Sequence, residues 1–409
     1  MGVFLRPRAI VAAPPPSLHN AGSQLELETR MRSATSHGSD APAAGGALRF
    51  PYMFWAHTEA VRSPWCLSQS GMPAPPRELF ADCDPRELAH PEVDAAPKLR
   101  ERLSQLYGLP PERILLVPGA SGGMWLAAQR WFRSGARVAA ETPSYEPLRG
   151  LPLEYGAQLR LIERRPELGW HFDPAEVDRQ LDGARPGHVF VTNSHNPTGA
   201  LLEAAELAAL ARSAERAGGV LVCCEVYMEF ASPARRVHAF QVAPNAVSIG
   251  SVTKAYGLGA LRVGWLLLGE GLAGERERLL DAAYLGWVDP PTPTCRLARH
   301  ALDRLPELVQ PILRVERECA PLLADWIAST PGIRAVRPAL GLTAFPRIEG
   351  VDDTRALAQY LQREHQIDVV PGEFFAAPGH LRIGCGVPVE TLREGLRRLD
   401  AGIRAFRAR

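Results

Sequence analysis

The chain has 409 residues, 46% of them hydrophobic and 22% charged, a length that exceeds one ordinary core and fits a large domain with a smaller one packed on it. Lys and Arg total 46 against 45 Asp and Glu, so no basic surface is offered to a nucleic acid or an anionic membrane, and a small-molecule substrate is favoured. No apolar run approaches the roughly 18–20 residues of a membrane span. The seven cysteines, odd in number and without metal-ligand spacing, point to a reducing, cytoplasmic setting rather than to disulfides or zinc.

Residues 1–45 are rich in Ala, Pro, Ser and Gly and predict a disordered leader. A transit peptide is opposed there by Glu26 and Glu28, and Met31 is an alternative start. From residue 113 the pattern alternates. RILLV (113–117), RVAAE (137–141), QLRLIE (158–163), HVFVTN (188–193), GVLVCCEVY (219–227), AVSIGS (246–251) and RVGWLLL (262–268) read as strands. Helical spacing marks MWLAAQRWF (124–132) and 203–217, the latter stopped by Gly218-Gly219. Apolar strands separated by helices predict an α/β fold with a mostly parallel sheet covered on both faces. Ligands of such sheets bind at the carboxyl ends of the strands. Residues 96–295 are expected to form this large domain. Residues 46–95 and 296–409, ending in a strand at 380–386 and a helix at 388–406, are expected to share a smaller α+β domain.

The chemistry-bearing residues fall where the strands end. Lys254 follows AVSIGSVT; a lysine just past a buried strand has a lowered pKa and can form an imine with an aldehyde cofactor, although a lone lysine is usually a surface residue. Ser251 and Arg262 flank it and can share one phosphate, the arginine as a bidentate clamp. PGASGGM (118–124) is a Gly-rich strand-to-helix turn whose free N–H groups, with the Ser121 hydroxyl, make an anion site. Alone it is ordinary turn chemistry. Asn196 in HNPTG is held by the following proline and can donate to a phenolate, although a plain Asx turn explains it as well. Tyr145 in TPSYEP offers a ring face for stacking, and Arg382 in HLRIGCG a fork for a carboxylate. Their bland alternatives are core packing and a surface salt bridge.

In this order the motifs resemble those of fold-type I pyridoxal 5′-phosphate (PLP) enzymes of the aspartate-aminotransferase family, class I/II, over roughly residues 46–405. SVTKAYGLGALRVGW is the most specific match and HNPTG the next. The resemblance implies a homodimer with PLP held as a Schiff base on Lys254, which also moves the substrate Cα proton. It implies phosphate binding by Ser121, Ser251, Arg262 and the Ala120 N–H, stacking by Tyr145, and contacts of Asn196 and the catalytic Tyr227 with the 3′-oxygen. Arg382, with Asn196 and Gly71, is implied to bind the substrate carboxylate. The implied reaction moves the amino group of an amino acid to a 2-oxo acid.

Two positions depart from the family pattern. Where Asp-Glu-x-Tyr is usual, this chain reads Cys224-Glu225-Val226-Tyr227, so a cysteine stands where a carboxylate pairs with the pyridine nitrogen and supports the ring as an electron sink. Three outcomes are open: a neutral thiol, a low-pKa thiolate, or substitution by Glu225, which strand alternation opposes. A weakened sink suits a racemase, a lyase or a specialised biosynthetic reaction as the alternative to transamination, and a non-catalytic binding module is a third reading. In AHPEVDAAPKLR (89–100) the tyrosine expected to reach the partner subunit's phosphate is replaced by His90 or by nothing.

Overall fold

The computed structural model describes residues 50–409, apart from 61, 62, 85, 87, 89, 91–93 and 341. The predicted leader lies outside these. Seven strands form one sheet: β1 (Ile114–Val117), β2 (Arg137–Thr142), β3 (Gln158–Glu163), β4 (Gly187–Thr192), β5 (Leu221–Cys224), β6 (Ala246–Ser251) and β7 (Gly264–Leu268). Their spatial order is β1-β7-β6-β5-β4-β2-β3. Only β7 runs antiparallel to its neighbours. Strands β1 and β4 to β7 are buried along their whole length, which is why they read as unbroken apolar runs rather than alternating ones. Edge strand β3 carries Arg160 and Glu163 outward, charges that discourage further strand pairing.

Helix α1 (Pro51–Thr58) precedes the sheet, and α2 (Ala95–Tyr107) leads into it. Helix α3 (Gly119–Trp131) starts directly after β1 and packs on β6 and β7. Helix α4 (Ala204–Arg216) packs on β4. At its start the Glu206 side chain accepts from the Glu203 N–H at 3.0 Å. Its end is closed as the sequence predicts: Gly218 takes φ +69, and the N–H groups of Gly218 and Gly219 return to Glu215 O and Ala214 O, both at 2.8 Å. An αL turn there requires glycine.

Two strands end differently from their sequence reading. The 219–227 run stops as strand at Cys224, because the chain turns into a short 3₁₀ segment whose cap, Tyr227, has φ −114° and ψ 4°. The 262–268 run begins at Gly264, because Arg262 takes the left-handed φ of +52°.

Beyond the large sheet, β8 (Thr343–Ala344), β9 (Val370–Pro371) and β10 (Leu381–Gly384) form a small antiparallel sheet with β10 central. Trp65–Cys66 pairs in parallel with Ile367–Asp368, so the segment before α2 is stitched to the C-terminal third. Helix α5 (Val389–Arg407) packs on the Trp65–Cys66 strand. None of the seven cysteines is joined in a disulfide among the described residues. No helix of the described residues is long and apolar enough to cross a membrane.

Candidate active site

The carboxyl ends of β2, β4, β5 and β6 open into a cavity of about 290 Å³. Tyr145 comes from the turn after β2, Asn196 from the loop after β4, Cys224 and Tyr227 from the end of β5, and Ser251 and Lys254 from β6 and its following turn. Ala120 and Ser121 at the start of α3 and Arg262 before β7 complete the wall. Nine residues picked from sequence thus share one cavity. Gly71 packs behind it: a Cβ on Gly71 would lie 3.4 Å from Lys254 Cδ. Arg382 enters from β10, with Nη1 donating to Asn196 Oδ1 at 3.1 Å.

Lys254 Nζ lies 2.9 Å from Ser70 Oγ. Burial, reinforced by the positive charges of Arg382 and Arg262, pushes its pKa down to about 8. An amine so depressed is partly neutral, hence nucleophilic, near neutral pH. Arg262 crosses toward Pro118 O at 3.3 Å. Gly119 sits beneath it with φ +70°, and a Cβ there would come within 2.5 Å of Arg262 Nη2. Glycine is therefore needed for both conformation and room. The result is a cradle of one guanidinium, the free N–H groups of the first turn of α3 and the hydroxyls of Ser121 and Ser251, suited to a phosphate.

Arg382 is fully buried. Its Nη2 donates to Tyr52 Oη and Ser68 O, each at 2.9 Å, and its guanidinium lies over the Phe375 ring at 5.1 Å. Its acceptors are all neutral, and Nε has no hydrogen-bond partner among the described residues. A buried cation without a carboxylate is expensive and marks a place where a ligand carboxylate completes the pairing. Thr253 Oγ1, on the cavity wall, is likewise buried without a partner. Tyr145 donates to Met53 Sδ at 3.0 Å and meets Tyr52 edge-on at 5.9 Å.

Of the three outcomes open for Cys224, the structure supports the first. Burial pushes its thiol up to about 12, so in the cofactor-free site it is neutral; the thiolate reading requires the opposite charge of a pyridinium beside it. Glu225 faces away: its carboxylate binds His238 Nδ1 at 2.6 Å and the Ala239 N–H at 2.8 Å. Among the described residues no Asp or Glu lines the cavity.

A buried network supports the Asn196 loop from below. Glu141 Oε1 accepts from Thr192 N at 2.9 Å and Thr192 Oγ1 at 2.6 Å. Arg164 pairs with Oε2 at 2.8 Å and donates to Thr192 O at 2.9 Å. His195 bridges Pro143 O at 2.8 Å and Thr198 Oγ1 at 2.7 Å, and burial holds it neutral. Ser70, Tyr52 and this network were not singled out as functional from sequence. Ser70 is next to Gly71, and Tyr52 lies in an aromatic run (52–55) more readily taken for core; nothing local marks Glu141 or Arg164. Outside the cavity, Asp82, Cys83 and His300 bring candidate metal donors within 4.8 Å of one another, but Asp82 is already paired with Arg304 at 2.6 Å.

The donor set fits PLP: a depressed amine for the aldehyde, a cradle for the phosphate and a guanidinium for the substrate carboxylate, while a cysteine stands in place of the ring-nitrogen carboxylate. Fold and site together define a fold-type I PLP-dependent transferase. The family profile described as Aminotransferase class I and II matches residues 80–399, and the chain belongs to that family. It is 31% identical to a capreomycidine synthase of Streptomyces vinaceus, over 69% of this chain and 72% of that one. It is 26% identical to the arginine–pyruvate transaminase AruH of Pseudomonas aeruginosa, over 74% and 79%. Its structure is similar to that of a PLP-dependent aminotransferase from Streptococcus suis, with TM-score 0.80 and 25% identity over 88% of this chain and 99% of that one.

Proposed function

We propose that this aminotransferase carries PLP on Lys254 and takes the α-carboxylate of its amino-acid and 2-oxo-acid substrates on Arg382. The observation that carries the reading is Arg382, a fully buried guanidinium with only neutral acceptors, hydrogen-bonded to a residue of the Lys254 cavity. Ser121, Ser251, Arg262 and the Ala120 N–H would hold the phosphate, Tyr145 the ring face, and Asn196 and Tyr227 the 3′-oxygen. Bound there, PLP supplies an aldehyde that condenses with amines and a ring that withdraws electrons from the substrate Cα. Lys254, neutral in part because of its burial, accepts the proton that leaves Cα. Arg382 fixes the carboxylate so that this proton faces the lysine.

Met53, Trp55, Ala56 and His57 also line the cavity, an apolar and aromatic wall that favours an amino acid with a neutral side chain. We take 46–95 with 296–409 as the small domain and 96–295 as the large one, and the active unit as a cytoplasmic homodimer. The test is to incubate PLP-loaded protein with a panel of amino acids and a 2-oxo acid acceptor and to measure both new products. Transamination with at least one donor, lost in Lys254→Ala, is expected; no new 2-oxo acid from any donor would overturn the reading.

Cys224 favours one second reading. A neutral thiol gives the ring nitrogen little support, and a weaker sink suits racemisation, elimination or a specialised biosynthetic reaction; one relative is named a synthase rather than a transaminase. Loss of the amino acid without a matching 2-oxo acid would identify it.

A further inference from the structure

Ser70 belongs to a five-residue strap, 68–72, that touches both ends of the site. At one end Ser68 O accepts from Arg382 Nη2 at 2.9 Å. At the other the Met72 N–H donates to Lys254 O at 2.8 Å. The strap is anchored upstream, where Leu67 N–H donates to Asp368 O at 2.8 Å and Leu67 O accepts from Gly384 N at 2.7 Å. Between these points Ser70 is buried, 7% exposed. Its Oγ accepts a hydrogen bond from Lys254 Nζ at 2.9 Å. Among the described residues no other acceptor takes a hydrogen bond from Nζ.

We propose that Ser70 is a positioning residue that holds the free amine of Lys254 in the cavity and sets how readily it gives up its proton. The proposal rests on the reading of Lys254 as the reactive amine.

The physical case follows from what surrounds Nζ. Arg382 faces it from β10, Arg262 from the turn before β7 and Cys224 from the end of β5. Two of these are cations, and the third is a thiol that burial keeps neutral. None is a carboxylate, so among the described residues the ammonium form has no counter-charge beside it. The Ser70 hydroxyl accepts from Nζ, so one of its lone pairs faces the amine and stabilises the ammonium. Ser70 thus opposes the two guanidiniums and keeps the amine from falling too low to act as a base near neutral pH. It also fixes the direction of an otherwise flexible four-carbon chain. Both strap ends are pinned by backbone bonds to groups that themselves belong to the site, so the hydroxyl has little freedom to follow the lysine elsewhere.

The test uses the full chain freed of cofactor, with PLP as the probe, and follows the rate of PLP incorporation by absorbance as a function of pH. Incorporation needs the neutral amine, so the rate profile reports its pKa. In Ser70→Ala the protein is expected to load to the same final stoichiometry, while the midpoint falls by about one pH unit, as loss of a hydrogen bond to a charged group predicts. Ser70→Thr and Ser70→Val are matched in shape and differ only in the hydroxyl: the threonine variant keeps the wild-type midpoint and the valine variant follows alanine. Equal midpoints for Thr and Val, or an unshifted Ala variant, would overturn the proposal while leaving Lys254 as the PLP site. Covalent loading that survives in Lys254→Ala would instead remove the reading beneath it, and the proposal with it.

Discussion

Asn196 and Arg382, 186 positions apart, are joined by a hydrogen bond of 3.1 Å from Nη1 to Oδ1. The bond ties the loop after β4 to the central strand of the small sheet, so the group that orients substrate is set by both sheets at once. Arg382→Ala removes the fork and is expected to lower kcat/KM for amino acids on the order of 10²-fold or more, the loss expected when one member of a buried charged pair is truncated. Arg382→Lys keeps the charge without the bidentate geometry and should fall between. Because the guanidinium has no carboxylate partner among the described residues, the alanine variant without ligand should not melt much earlier than wild type. A melting loss as large as the kinetic one would show that Arg382 is mainly structural.

Gly119 and Arg262 set a second test. With φ +70° and only 2.5 Å between a would-be Cβ and Arg262 Nη2, Gly119→Ala must displace the guanidinium or the turn. The backbone strain alone costs about 1 kcal/mol, and displacement of the guanidinium adds a loss of PLP affinity of roughly tenfold or more. Equilibrium titration of the cofactor-free variant with PLP measures it. Gly135, also at positive φ but with nothing within 4 Å of its would-be Cβ, is the control: its alanine variant should bind PLP normally.

The sheet was legible in the sequence because its inner strands are buried on both faces, and the run AVSIGS matched β6 residue for residue. Lys254 was legible for the same reason, as the polar residue just past such a run. The two-residue strands β8 and β9 were not, since two residues carry no periodicity. Ser70 and Tyr52 were missed because their roles exist only through Lys254 and Arg382, 184 and 330 positions away. The Glu141–Arg164 pair is of the same kind. An acidic residue in β2 and a basic one just after β3 look like surface charges in sequence, yet both side chains are fully buried.

Cys224→Asp tests the electron sink. Without cofactor, burial holds the cysteine neutral, its pKa pushed up to about 12; on the proposed placement of PLP, the wild-type site then offers the ring nitrogen no charge. An aspartate there would pair with a protonated nitrogen and is expected to raise the transamination rate. Without PLP the same carboxylate is buried unpaired, so the cofactor-free variant should melt earlier than wild type, by about 2 °C or more for each ~1 kcal/mol of cost. PLP should then restore more stability to the variant than to wild type. An unchanged or lower rate in folded, PLP-loaded protein would show that Cys224 does not limit the sink.

Lys254 predicts a pH dependence of stability in the cofactor-free protein. Its pKa falls from the ordinary 10.5 to about 8 on folding, so between these values the unfolded chain binds a proton that the folded one does not. Stability then rises with pH in that window, by at most about 1.4 kcal/mol per unit. Below about 8 the folded protein carries the full cost of a charged, buried amine, and above 10.5 that cost is gone. Other groups titrate in the same range, the raised thiol of Cys224 among them with the opposite sign, so the measurement is a difference. Denaturant unfolding of wild type and Lys254→Met across pH 7 to 10.5 should show the methionine variant ahead at pH 7 and its lead shrinking as pH rises. A lead that stays constant would mean that Lys254 keeps its ordinary pKa in the fold, and that the amine owes its reactivity to something other than burial.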